Sequence, residues 1–463
     1  MLFNSVYYAF FLPLVLALYW AAPRRLRYPL LLVASYLFYM NWIPEYILLI
    51  LGLTVLNYLL GLALAGHRSR WLLSLAVAAD LGVLAYFKYA NFLISTARAG
   101  SLDFPTANIL LPLGISFFTF EFIHYVVDVW RGSPPVRNFV EFALFAAFFP
   151  TQIAGPIKRY QAFVHQLQEH RRFDPALAEE GVGLILRGLF KKVVLADNLA
   201  HIANVGFDHP ANLSTVDTWI AVYAFAFQIF FDFSGYTDIG RGSAQLFGFT
   251  VPENFDAPYL ARNLAGFWRR WHMSLSSWLR DYLYIPLGGS RLGKWANYRN
   301  LFLTMTIGGL WHGAAWHFVL WGAYQGIGLA GLRLLTGRGA KPPMRPSLPA
   351  LFGIAATFHF TCIGWVLFRA DSLATVGTIF GHLLLPTSAS AAYSTGDRLT
   401  VLGIAAAYFV LVGGYPYVRG ALPALWAGVL RWGWLLRPAY YTAIIVWIVL
   451  FPAEAQRFIY FQF

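Results

Sequence analysis

Apolar runs, several of them long enough to cross a bilayer as one helix, recur from one end of this chain to the other. They lie at about residues 3–21, 28–43, 45–65, 71–94, 219–233, 300–335, 350–369, 399–418 and 440–452, with a shorter run at 374–386. A hydrocarbon core of ~30 Å takes ~20 apolar residues as a helix and offers no water to backbone groups, so only helices and closed barrels span it. The runs are continuous rather than alternating, which excludes a barrel. Only 12% of the residues are charged, against ~25% in a soluble domain. The chain therefore reads as an all-α polytopic integral membrane protein, with residues 1–463 as a single integral domain.

A net charge of +13 raises the question of nucleic acid, but the basic residues collect in short loops between apolar runs, as cytoplasmic loops do. No nucleic-acid partner is expected. Arg24, Arg25 and Arg27 follow the first run, and His67, Arg68 and Arg70 follow the third. Both loops are then cytoplasmic, with the N-terminus outside. The opening run has neither a basic flank before it nor a small-residue cleavage site after it, so it is not a cleavable signal. Cys362 lies in the run TFHFTCIGWVLF and reads as a small core residue.

Ionisable groups at membrane depth are costly and face a partner or a wet cavity. Asp80 and Lys88 are expected to face other helices. Glu121, His124 and Asp128 fall at i, i+3 and i+7 on one helical face, which reads as a polar internal face tied to Arg131 rather than as a metal site. No metal is expected. The apolar stretch from Phe139 is interrupted by Pro150 and by Gly155-Pro156. It cannot stay one helix and is expected to be re-entrant or kinked. Arg187, Lys191 and Lys192 punctuate a helix that looks interfacial. Asp232, Tyr236, Asp238 and Arg241 read as architecture around a cavity, with Asp238 and Arg241 as an ion pair.

The densest stretch is Asn254 to Trp316. Apolar residues from Leu264 to Tyr282 follow a helical period, predicting one amphipathic helix along the cytoplasmic surface with His272 facing inward. Between residues 262 and 299 there are seven basic residues and one acid, Asp281, a net of +6. The run from Asn300 to Leu335 is then a span carrying His312. Imidazole titrates near neutrality and suits the activation of a hydroxyl. A basic mouth suits an anionic cytoplasmic ligand such as a nucleotide-linked thioester. Together they suggest O-acyl transfer, a reaction that needs no metal. His317, about 140° round the helix from His312, is expected to be structural.

NFDAPYLARNLAGFWRRWHMSLSSWLRDYLYIPLGGSR followed by NLFLTMTIGGLWHGAAWHFVLWGAYQG resembles the membrane-bound O-acyltransferase family in its bacterial branch. The likeness extends to SYLFYMNW, ILLPLGISFFTFE, FPTQIAGPIKRY, FFDFSGYTD, GWVLFRA and FIYFQF, nearly the whole chain. It implies a ring of about ten or eleven helices, re-entrant pieces included, around a central funnel. It also places the essential histidine of the WHG motif on His312 and the second, in RRWH, on His272. Bacterial members move an acetyl group from a cytoplasmic donor, here expected to be acetyl-CoA, toward an exopolysaccharide or cell-wall glycan. Some do so through a periplasmic esterase-fold partner. No bound cofactor is implied. Trp311 and Trp268 are expected to shape the cavity wall, and Arg269, Arg270 and Arg280 to contact donor phosphates or membrane lipid headgroups. Ala315, His317, Gln325 and Arg241 depart from the family's usual residues, which leaves the polymer open. The rival expectation is a carrier or export channel for a polysaccharide or lipid-linked sugar; no inverted repeat supports it.

Overall fold

A computed structural model describes residues 2–99, 109–153, 155–169, 172–337, 347–387, 392–414, 433–451, 454, 456, 458 and 459, and every regular element among these is helical. Among the described residues, six helices are long and apolar enough to cross a membrane: Tyr46–Gly66, Arg70–Arg98, Thr215–Leu246, Trp316–Thr336, Leu348–Arg369 and Thr395–Val412. The all-α, multi-pass reading holds. The chain falls into two compact units, Met1–Ile185 with Tyr236–Glu253, and Leu186–Gly235 with Asn254–Phe463.

The first unit opens with α1 (Val6–Ala21), α2 (Arg24–Met40) and α3 (Tyr46–Gly66). Next come α4 (Arg70–Leu84) and α5 (Ala90–Ala99), joined by a wide π turn at Ala85–Tyr89. Asp80 is buried and accepts from the Asn57 amide of α3 at 2.8 Å, so it does face another helix. After α6 (Ile115–Arg131) the interrupted stretch is indeed broken, into α7 (Phe139–Ala147), α8 (Phe149–Gln152) and α9 (Tyr160–Gln168). Asn138 caps α7 by accepting from the amides of Val140 and Glu141, two of the orphan donors that every helix start exposes.

The polar face of α6 is satisfied by the chain that follows it. Lys158 Nζ reaches the Glu121 oxygens at 2.8 and 3.1 Å. His124 accepts the Tyr160 N–H at Nε2 and donates from Nδ1 to the Phe120 carbonyl. Asp128 pairs with Arg131 at 3.5 Å. These are structural roles, as the spacing argued. Arg241, in contrast, holds Glu253 at 2.7 Å, so its ion pair is not the expected one with Asp238.

The chain enters the second unit along α10 (Pro175–Leu189), a π segment (Phe190–Ala196) and α11 (Asp197–Asp208). Lys192 departs from the interfacial reading of this stretch: its side chain is 1% exposed and paired with two carboxylates, while Arg187 stays exposed. The long helix α12 (Thr215–Leu246) is the most enclosed of the six, with 83% of its apolar window buried. The predicted helix over 264–282 is instead two short ones, α13 (Leu264–Trp268) and α14 (Met273–Leu279), followed by a π turn at Arg280–Tyr284. The predicted single span over 300–335 is a hairpin of α15 (Lys294–His312) and α16 (Trp316–Thr336). Both corrections concern breaks at the histidines themselves. The unit continues with α17 (Leu348–Arg369), α18 (Leu373–Leu384), α19 (Thr395–Ala407) and α20 (Gly433–Leu450). Cys362, in α17, is fully buried, the core residue its surroundings predicted. The Pro- and Gly-rich stretch TGRGAKPPMRPSLP, whose composition marks it as a loop, lies mostly outside the described residues.

Candidate active site

His312 is placed by the way α15 and α16 fit together. A Cβ added to Gly322 would lie 2.9 Å from Thr306 Cα and 3.1 Å from Gly309 Cα, and one on Gly326 would lie 2.8 Å from Phe302 Cα. These glycines let two backbones touch, the small-residue device that drives helix association where apolar burial gives no advantage. At the hairpin's closed end α15 stops at His312 because Gly313 turns to an extended conformation, and a Cβ there would overlap the Phe318 ring. The imidazole is thereby held at a helix terminus with its main chain fixed on both sides.

His272 is placed by a strained main chain. It caps α14 at φ 43°, ψ 55°, a left-handed conformation that costs a side-chain-bearing residue ~1–3 kcal/mol and persists only when its surroundings over-determine it. Here Asn254 does so. Its carbonyl accepts the Met273 N–H at 3.0 Å. Its side-chain oxygen accepts from the Ser274 hydroxyl at 2.6 Å and from the Ser274 N–H at 3.3 Å. The Asp256 N–H donates to the Arg270 carbonyl at 3.0 Å. Two loop residues thus pin the kink from both ends and turn the ring off the path a continuous helix would give it.

The result is a pair of imidazoles with centroids 6.3 Å apart, His272 fully buried and His312 4% exposed. Trp311 packs against both, 6.2 Å from His272 and 5.0 Å from His312. Phe233 of α12 meets His272 edge-on at 4.6 Å. Trp321 and Phe368 meet His312 edge-on at 5.2 and 5.3 Å. Burial pushes the His272 imidazole down to about 3, so it is neutral at physiological pH and offers one N–H donor and one lone pair.

Of the other residues singled out in the sequence, Trp311 lies in this cage and Trp268 one ring outside it. Trp268 donates to the Gln325 side chain at 3.3 Å and packs on Trp321 at 5.8 Å. Arg269 lines a separate cavity of about 360 Å³ together with Asn263, Tyr284, Ser290, Asn297 and Arg333. Its walls come from α13, α15, α16 and the turn after α14, and α15 also carries His312. Arg270 reaches the Asp256 carbonyl at 3.4 Å, and Arg280 pairs with its neighbour Asp281 at 2.7 Å. His317 bonds the Leu367 carbonyl at 3.1 Å, consistent with a structural part. Phe233, Asn254, Trp321, Phe368 and Arg333 escaped the sequence reading. The first four lie inside segments that carry the family resemblance, but each is distant in sequence from at least one imidazole and nothing local tied it to that ring. Arg333 stands in the last turn of α16, where a basic residue is ordinary because it complements the helix dipole, so its position alone did not announce the cavity.

A family model described as the membrane-bound O-acyltransferase family matches residues 135–370. The probable alginate O-acetylase AlgI of Pseudomonas syringae pv. tomato is 44% identical over 83% of this chain and 75% of its own length. The protein of the same description from Azotobacter vinelandii is 46% identical over 81% and 76%. The peptidoglycan O-acetyltransferase of Helicobacter pylori is 36% identical over 81% and 78%.

Proposed function

This chain belongs to the membrane-bound O-acyltransferase family and is an O-acyltransferase, and from that premise we propose that it moves an acetyl group from cytoplasmic acetyl-CoA to a hydroxyl of an exported polysaccharide, or to a periplasmic esterase-fold partner that acetylates the polymer. Residues 1–463 act as one acyltransferase domain in this reading, in the inner membrane with the N-terminus periplasmic. A funnel through the helices brings donor and acceptor to the imidazoles from opposite faces. The acceptor class follows the alginate and peptidoglycan acetylases among its relatives.

The observation that carries the reading is the pair of buried imidazoles 6.3 Å apart inside an aromatic cage. That spacing puts both rings within reach of one reacting group. His312 takes the proton of the acceptor hydroxyl as the oxygen's electron pair attacks the thioester carbonyl carbon. The neutral His272 donates its N–H to the carbonyl oxygen, where negative charge develops. When the tetrahedral centre collapses, the C–S bond breaks and the leaving thiolate takes the proton from the His312 imidazolium. Ester and free thiol are the products, and both rings return to their starting states. The cavity holding Arg269 and Arg333 supports an anionic donor, since a planar guanidinium suits bidentate contact with phosphate. Arg270 and Arg280 contribute positive charge to the same surface, toward donor phosphate or lipid headgroups.

His312→Ala tests the reading. The variant should insert in the membrane at wild-type level and lose ~10²–10⁴-fold in acetyl transfer, read by mass spectrometry of the surface glycan. Unchanged acetyl content would end the proposal.

A further inference from the structure

The second unit carries a buried charge cluster that the acyl transfer does not use. Lys192 Nζ lies 2.7 Å from Asp197 and 2.8 Å from Asp232, and none of the three side chains is more than 3% exposed. Two carboxylates share one ammonium away from water, an arrangement that is sustained only if the remaining polar atoms are engaged as well. What engages them is main chain from far along the sequence. The Gln456 carbonyl accepts from Lys192 Nζ at 3.0 Å. The Ile459 N–H donates to the second oxygen of Asp232 at 2.8 Å. Gln456 also contributes a backbone hydrogen bond to Asp197. Phe458 and Ile459 are fully buried. The Phe458 ring packs 6.1 Å from Phe233, the residue after Asp232, and Phe233 is the ring that meets His272 edge-on at 4.6 Å.

We propose that Lys192, Asp197 and Asp232 form a latch that seats the chain at Gln456, Phe458 and Ile459, and that through Phe458 and Phe233 it fixes the orientation of the His272 imidazole. Lys192 and Asp232 are then positioning residues for acyl transfer. The inference rests on His272 polarising the acyl carbonyl. The latch recognises the seated chain by its backbone, so it tolerates changes of side chain at residues 456 and 459 but requires an N–H at 459. Proline there removes that donor and leaves the three charges untouched.

The test uses the full chain in proteoliposomes with acetyl-CoA as donor, comparing wild type with Ile459→Pro, Asp232→Asn, Lys192→Arg and His312→Ala. Loss of one charge-assisted hydrogen bond predicts about a tenfold fall in kcat for Ile459→Pro and Asp232→Asn, with the KM for acetyl-CoA within about twofold of wild type. Lys192→Arg, which keeps the charge, should retain most of the turnover. Amide exchange in the peptide containing Gln456 and Ile459 should quicken by about tenfold in both impaired variants, with α15 and α16 unchanged. Wild-type kcat in Ile459→Pro would overturn the latch. So would a fall in kcat with unaltered exchange at the other amides of that peptide, or exchange that quickens equally in α15 and α16. The His312→Ala arm separates the two ideas. A fully active His312→Ala sinks the reading of the histidines, whereas an inactive one beside a fully active Ile459→Pro sinks only the latch.

Discussion

His124 and His272 are both fully buried imidazoles, one in each unit, and they are held in opposite ways. His124 sits mid-helix in α6, with Nδ1 donating to Phe120 and Nε2 accepting from Tyr160, next to the closed Lys158–Glu121 ion pair. Both of its nitrogens are committed to the backbone, so the fold has spent them. His272 sits at a break between two short helices, in a left-handed conformation enforced by Asn254, with the rings of Phe233, Trp311 and His312 around it. Burial alone therefore does not mark a working histidine. Main-chain strain together with a second imidazole nearby is what the role proposed for His272 rests on.

The largest effect that could break this contrast comes from the rings themselves. His272→Gln should lower kcat by ~10²-fold or more in protein that still inserts and folds. His124→Gln should instead reduce the yield of folded protein, with turnover per folded molecule near wild type. The reverse pattern, in single-turnover assays on purified protein, would exchange the two roles. Gly322→Leu comes next. It forces α15 and α16 apart and shifts His312 without touching it, and a displacement of ~1 Å predicts a kcat loss approaching ~10²-fold. Equal activity would show that the hairpin's close approach does not position the ring.

Lys158→Met sharpens the contrast from the first unit. Leaving Glu121 buried without its ammonium should cost ~3–5 kcal/mol, visible as a lower thermal midpoint in detergent, with little change in turnover per folded molecule. The smallest effect is in pH. The folded His272 has a pKa of about 3 and an unfolded histidine ~6.5. Between those values the unfolded chain binds a proton that the folded one does not. Its contribution is constant above ~6.5 and stability falls as pH drops below it, by at most ~1.4 kcal/mol per pH unit. His272→Gln should flatten that part of the stability curve between pH 7 and 5. An unchanged slope would mean the ring is not kept neutral.

Much of the architecture was legible in the residues. Bilayer-length runs announced the spans, Pro150 and Gly155-Pro156 announced the break in the first unit, and the i, i+3, i+7 spacing put Glu121, His124 and Asp128 on one face. The WHG and RRWH motifs drew attention to the two histidines that lie together. Periodicity failed at the histidines. It extended one helix over 264–282 and one span over 300–335, because apolar spacing continues through both breaks while the backbone does not. It also left Lys192 at an interface, since nothing in the sequence near residue 192 tells of Asp232 or of Gln456.

The sequence by itself determined that this chain is helical and membrane-embedded, for the solvent dictates both: hydrocarbon leaves backbone groups no partner but each other, and the long apolar runs admit no other arrangement. Tertiary structure decided which imidazoles meet. That depended on contacts between residues distant in the chain, Asn254 on Ser274, Gly322 on Gly309 and Ile459 on Asp232. Their energies exist only once the helices have packed.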